Sequence, residues 1–91
     1  MAAEFREVIE RRQFQQEKGK LKHSEKRLDE MLDGIIWTLA RLPESYPQIP
    51  GTDLYLAKSD AVPGVAGLYI WFRYNENQVF LESIEAAPIA E

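Results

Sequence analysis

Ninety-one residues, 45% of them hydrophobic and 29% charged, suffice for one domain spanning 1–91 with one core. A chain this small gains stability from a partner or a second copy of itself. The absence of cysteine excludes disulfides, thiolate metal sites and cysteine nucleophiles, and a net charge of -4 argues against a surface that grips nucleic acid all over.

The segment Met1 to Glu7 is charged and has no apolar stretch, and nowhere does the chain approach the ~18 apolar residues of a membrane span, so a cytoplasmic protein is expected. From Phe5 to Arg11, Phe5, Val8 and Ile9 fit one face of a helix but also a short strand; the strand is the expectation. A polar segment follows, with Phe14 and Leu21 one heptad apart, and Lys18, Gly19 and Lys20 predict a helix that ends near the glycine. Seven basic residues between Arg11 and Arg27 face only Glu17 and Glu25, a local charge of +5. Arg11, Arg12, Lys18, Lys20 and Lys22 are therefore the candidates for a phosphate or nucleic-acid patch, against the plainer reading of a solvated helical face laced with i,i+4 pairs. From Met31 onward eight acids outweigh three bases, a local charge of -5.

The strongest helical pattern has Ser24 as its cap and Glu25 in its first turn, then Leu28, Met31, Leu32, Ile35, Leu39 and Leu42 as its apolar stripe, until Pro43 stops it. Gly34 in the middle costs up to ~1 kcal/mol relative to alanine and suggests a close approach of another backbone, or a glycine that is simply tolerated. Trp37 interrupts the polar side of this helix, which fits an interface or a packing role. Pro43, Pro47, Pro50 and Gly51 make an extended connector that re-aims the chain. Strands are expected over Thr52–Lys58, Leu68–Tyr74 and Val79–Ile84, with a loop over Ser59–Gly67. A two-residue turn at Glu76-Asn77 would set Tyr74 opposite Val79, Phe72 opposite Leu81 and Ile70 opposite Ser83, on the face toward the helix. The other face would then show Tyr69, Trp71 and Arg73 beside Phe80, Glu82 and Ile84, too apolar to be left wholly in water.

The order strand, helix, helix and three antiparallel strands, with Gly51-Thr-Asp-Leu-Tyr-Leu56 and the hairpin Phe72-Arg-Tyr-Asn-Glu-Asn-Gln-Val79, resembles the RelE/ParE superfamily of bacterial toxins over nearly the whole chain. The resemblance implies an α+β domain with a short N-terminal strand, two helices and a three-stranded antiparallel meander. It also implies a type II toxin-antitoxin system, with an antitoxin whose extended or helical tail wraps the toxin. In that superfamily one branch cleaves messenger RNA on the ribosome and the ParE branch poisons DNA gyrase.

Metal-free RNA cleavage needs cations at the phosphate and a group that moves the 2'-hydroxyl proton. Where the ribonuclease branch has a basic residue at the start of the third strand, this sequence has Tyr69, and after the last strand it has Ala86, Ala87, Pro88 and Ile89. Only Lys58 and Arg73 remain as catalytic candidates, and Arg73, facing Phe80 with Glu82 on the diagonal, better fits a surface ion pair. The expectation is thus a toxin-like protein that acts by protein contact, binding an antitoxin or a second copy through Tyr69, Trp71, Phe80 and Ile84. The alternatives are a ribosome-dependent messenger RNA interferase and an orphan, non-toxic binding domain of the same fold. His23 is the only histidine and has no spaced partner, Asp53 and Asp60 suit turns, and Gly64 and Gly67 precede no helix, so neither metal nor cofactor is expected.

Overall fold

The computed structural model describes residues 5–21, 28–59 and 67–86. The described residues form an α+β fold with two helices and a four-stranded mixed sheet: β1 (Glu7–Glu10), α1 (Arg12–Leu21), α2 (Leu28–Arg41), β2 (Tyr55–Lys58), β3 (Leu68–Tyr74) and β4 (Gln78–Ala86). The sheet order is β1-β4-β3-β2; β1 runs parallel to β4, and the other two pairings are antiparallel. The ambiguous first segment is thus a strand. Its start is strapped down twice, because Arg6 donates its amide to Ala40 O (2.8 Å) and its Nε to Asn75 O (2.8 Å).

Both helices cover the same face of the sheet. Phe14 of α1 and Leu28, Leu32, Ile35 and Leu39 of α2 pack on Ala57, Leu68, Ile70, Phe72, Val79, Leu81 and Ile84, and this cluster is buried throughout. The 3.6-residue period of α2 meets the two-residue period of β3, so one apolar stripe and one strand face close the core. The α1 helix runs past Gly19 to Leu21, and Phe14 and Leu21 both reach the core cluster. The α2 helix ends at Arg41, so Leu42, expected in the apolar stripe, is instead 54% exposed. Pro43 opens a short 3-10 turn over Pro43–Ser45 in place of extended chain, since its fixed φ suits a first helical position. Among the described residues no backbone approaches Gly34 closely: a Cβ built there meets none of them within 4 Å. The cap Ser24 with Glu25, Lys22 and His23, the loop residues 60–66, and Ala87 to Ile89 lie outside the described residues.

The connector folds back on itself instead of crossing in the open. Thr52 donates its amide to Ile49 O (3.2 Å) around Pro50 and Gly51, whose φ of +78° suits the third position of a type II turn. Ile49 N then reaches Leu54 O (2.8 Å), and Gln48 bridges Tyr55. Thr52 to Leu54 are therefore spent on the turn, which is why β2 begins at Tyr55 and not at Thr52. At the β3–β4 hairpin the two-residue loop Glu76-Asn77 is present. No non-glycine described residue takes positive φ, and the Asn75 side-chain oxygen stabilises the turn by accepting the amides of Asn77 and Gln78, each at 2.8 Å.

Tyr74 faces Val79 and Phe72 faces Leu81, as the two-residue turn requires, but beyond them the register slips. Trp71 pairs with Ser83 and Ile70 with Ile84, which leaves Glu82 as the extra residue of a β-bulge. This corrects two expectations at once. Ile70 does not face Ser83, and Ile84, expected on the outer face, turns inward and is 1% exposed.

Candidate functional site

Alternation along β3 and β4 turns a second row of side chains away from the helices. Leu56 of β2 pairs with Trp71 of β3, and Phe80 of β4 pairs with Ile9 of β1. All four are only half-buried, and they run diagonally across the whole sheet. Tyr69 extends the patch along β3, its ring meeting Trp71 edge-on at 6.2 Å between centroids. Of the expected contact residues, Tyr69, Trp71 and Phe80 thus share this face, and Ile84 belongs to the core. Leu56 and Ile9 are members the sequence reading missed, although the alternation Tyr55, Leu56, Ala57 carries the signal for the first.

An ion cluster sits in the middle of the patch. Arg73 binds Asp53 at 3.0 Å and Glu82 at 3.5 Å, and Arg11 approaches Glu82 at 4.0 Å while its guanidinium lies 6.0 Å from the Phe80 ring centre. The bulge puts Glu82 here, and the turn at Gly51 brings in Asp53. Two shallow clefts flank the cluster: one of about 320 Å³ over Arg11 and Phe80, the other of about 410 Å³ over Trp71, Leu54 and Ser83. The expected pair of Arg73 with Glu82 is present, joined by Asp53.

Such an arrangement serves phosphate chemistry poorly. A phosphate approaching Arg73 would have to compete with two carboxylates already in place, and would meet their repulsion. Lys58 lies on another row, its ammonium 5.6 Å from the Tyr69 ring centre, in the pairing Lys58–Tyr69–Glu85 across three strands. The basic candidates of α1 are dispersed. Lys18 is bound bidentately by Glu10 at 2.7 and 2.9 Å, Arg11 joins the sheet cluster, and Arg12 and Lys20 are left exposed on the helix. No group of three or more histidine, aspartate or glutamate side chains suited to a metal occurs among the described residues. No helix among the described residues is long and apolar enough to cross a membrane.

Two further features were not legible beforehand. Strand β1 pairs only with Gln78–Leu81, so the edge of β4 beyond it is open, and α1 closes it: Glu17 Oε1 accepts the Ser83 hydroxyl (2.7 Å) and the Ile84 amide (3.2 Å). A carboxylate thereby replaces the missing strand partner. At the opposite end, Tyr55 and Tyr74 lie 4.9 Å apart with Arg6 over Tyr74 at 5.4 Å. Burial, the hydrogen bond with Tyr55 and the nearby Tyr55 and Glu44 charges push the Tyr74 hydroxyl above its usual 10.0, against the opposing pull of Arg6.

No protein-family model and no curated protein matches this chain, so the functional reading rests on the residues and their geometry.

Proposed function

We propose that the chain is the toxin-like member of a bacterial type II toxin-antitoxin pair and that it works by protein contact, not by cutting RNA. The observation that carries this is the outer sheet face: Ile9, Leu56, Tyr69, Trp71 and Phe80 form an apolar row that neither helix covers. Aromatic side chains held on a rigid sheet are good anchors for a partner, since they bury much area at little entropic cost. The strand-helix-helix start and the antiparallel run of the last three strands support a RelE/ParE-like meander domain. An antitoxin segment lying over the diagonal would cover the apolar row together with the Arg73 cluster in its middle, and would have to offer polar groups there. The gyrase-poisoning branch is the closer functional analogue, because of the two candidate catalytic cations Arg73 is engaged by two carboxylates, which leaves Lys58 alone against the Tyr69 ring.

The test is coexpression with the neighbouring reading frame. Growth arrest by the chain alone, relief by the neighbour, and loss of co-purification on Trp71→Ser with Phe80→Ser at unchanged melting temperature are expected. Partner binding that survives the double substitution would refute the assigned face. Messenger RNA in a translating extract should stay intact, and cleavage abolished by Lys58→Ala would establish the interferase alternative instead.

A further inference from the structure

The solvent side of α2 carries an unusual set of residues. Turning away from the buried stripe of Leu28, Leu32, Ile35 and Leu39, the helix presents Glu30, Gly34, Trp37, Thr38 and Arg41 along one line. Trp37 is 57% exposed, and Phe5 and Leu42 beside this end of the helix are 51% and 54% exposed. These three are the large apolar side chains left most open among the described residues. Arg41 lies on the rings of Trp37 (4.4 Å) and Phe5 (5.6 Å), with no carboxylate ion-paired to it among the described residues.

We propose that this line is a self-complementary surface through which two copies of the chain pair, α2 against α2, antiparallel about a two-fold axis. An axis passing between Gly34 and Trp37 fixes the register. Trp37 of each copy then falls on Gly34 of the other, Thr38 on Asp33, and Arg41 on Glu30. Every element of this match is on one helix. The glycine leaves a notch, since a Cβ there meets nothing within 4 Å, and one turn further on stands the large side chain that fills it. Thr38 turns its hydroxyl back to Gly34 O (3.2 Å), so that donor is already satisfied within the helix. The helix is acidic at its start, with Asp29, Glu30 and Asp33, and basic at its end, with Arg41, so antiparallel pairing sets opposite charges together and parallel pairing sets like charges together. Glu30 also has an interaction within its own chain, and Arg41 of the second copy would join it.

A small residue at the crossing point lets two helices approach to the short end of the usual 8–10 Å spacing. Fourteen residues make a rod of about 21 Å, so the contact is small, in the class below about 1,200 Å² that supports weak and reversible association. This surface faces away from the sheet face assigned to the antitoxin, and both can be occupied at once.

Sedimentation velocity from micromolar to millimolar protein tests the pairing. The native chain should move from monomer to dimer with concentration. Gly34→Gln fills the notch, is tolerated by the monomer because the position is open and glycine is a poor helix former, and should abolish the dimer while the melting temperature holds or rises. Arg41→Glu should weaken association roughly tenfold, and adding Glu30→Arg in the same chain should restore most of it. The chain contains no cysteine, so mixing Asp33→Cys with Thr38→Cys should give more disulfide than either variant alone. A native chain monomeric throughout, a dimer indifferent to Gly34→Gln, or crosslinking equal in all three samples would overturn the proposal. Dissociation by Trp71→Ser in place of Gly34→Gln would move the dimer contact to the sheet face.

Discussion

The β-bulge at Glu82 decides which face of the sheet Ile84 joins, and one substitution measures it. Ile84→Ala removes three carbons from a side chain that is 1% exposed, sits opposite Ile70 and belongs to the core cluster. At about 0.8 kcal/mol per methylene, transfer alone costs about 2.4 kcal/mol, and the residual cavity brings the total to about 3 kcal/mol. A domain of this length has a total stability on the order of 5–14 kcal/mol, so the loss is a large part of it and lowers the melting point by roughly 15 °C. Urea unfolding followed by tryptophan emission gives the free energy directly, with the slope checked for two-state behaviour. With no bulge, Ile84 would sit at the surface and its truncation would cost under about 0.5 kcal/mol. That outcome would refute the register and, with it, the position of Glu82 beside Arg73.

Glu17→Ala should destabilise by about 2 kcal/mol, because it strips the Ile84 amide of its partner, whereas Glu17→Gln keeps an acceptor oxygen and should recover about half; thermal melts of the two variants compare them. Gly51→Ala should cost about 1 kcal/mol, since φ of +78° strains any side chain, and chemical unfolding reads the difference. The raised Tyr74 hydroxyl favours the neutral form in the folded state, so its contribution is intact below the usual 10.0 and is lost as pH climbs from there through the higher folded value. Melts between pH 8 and 11 should therefore fall less steeply for Tyr74→Phe than for the native chain, and parallel curves would refute this.

What is legible in the sequence follows from how local its cause is. The α2 stripe and the alternation from Leu68 to Tyr74 each repeat over several turns or pleats, and both elements lie where those patterns put them. The bulge is not legible, because Glu82-Ser83-Ile84 satisfies a plain alternation until Glu17, distant in sequence, binds the Ile84 amide. The parallel placement of β1 is equally hidden, since four residues carry no direction. Pro50-Gly51 reads as part of an extended connector, and the turn it makes instead, bringing Asp53 to Arg73, depends on where β2 lands in the sheet. Tyr69, Trp71 and Phe80 are legible as an outer face from the hairpin alone, whereas Ile84 is misassigned by the one-residue slip.

Among the described strands β1 finds its partner only in β4, with Glu7 set against Gln78. Strand β1 therefore leaves the ribosome well before its partner, and until β4 follows Val8 and Ile9 have no ladder to join. Closing so long a loop delays assembly, and the half-made chain shows apolar strand to proteases and chaperones. A chain that stops before Gln78 would lack both the ladder for β1 and the core side chains of Val79, Leu81 and Ile84, and would be material fit only for degradation.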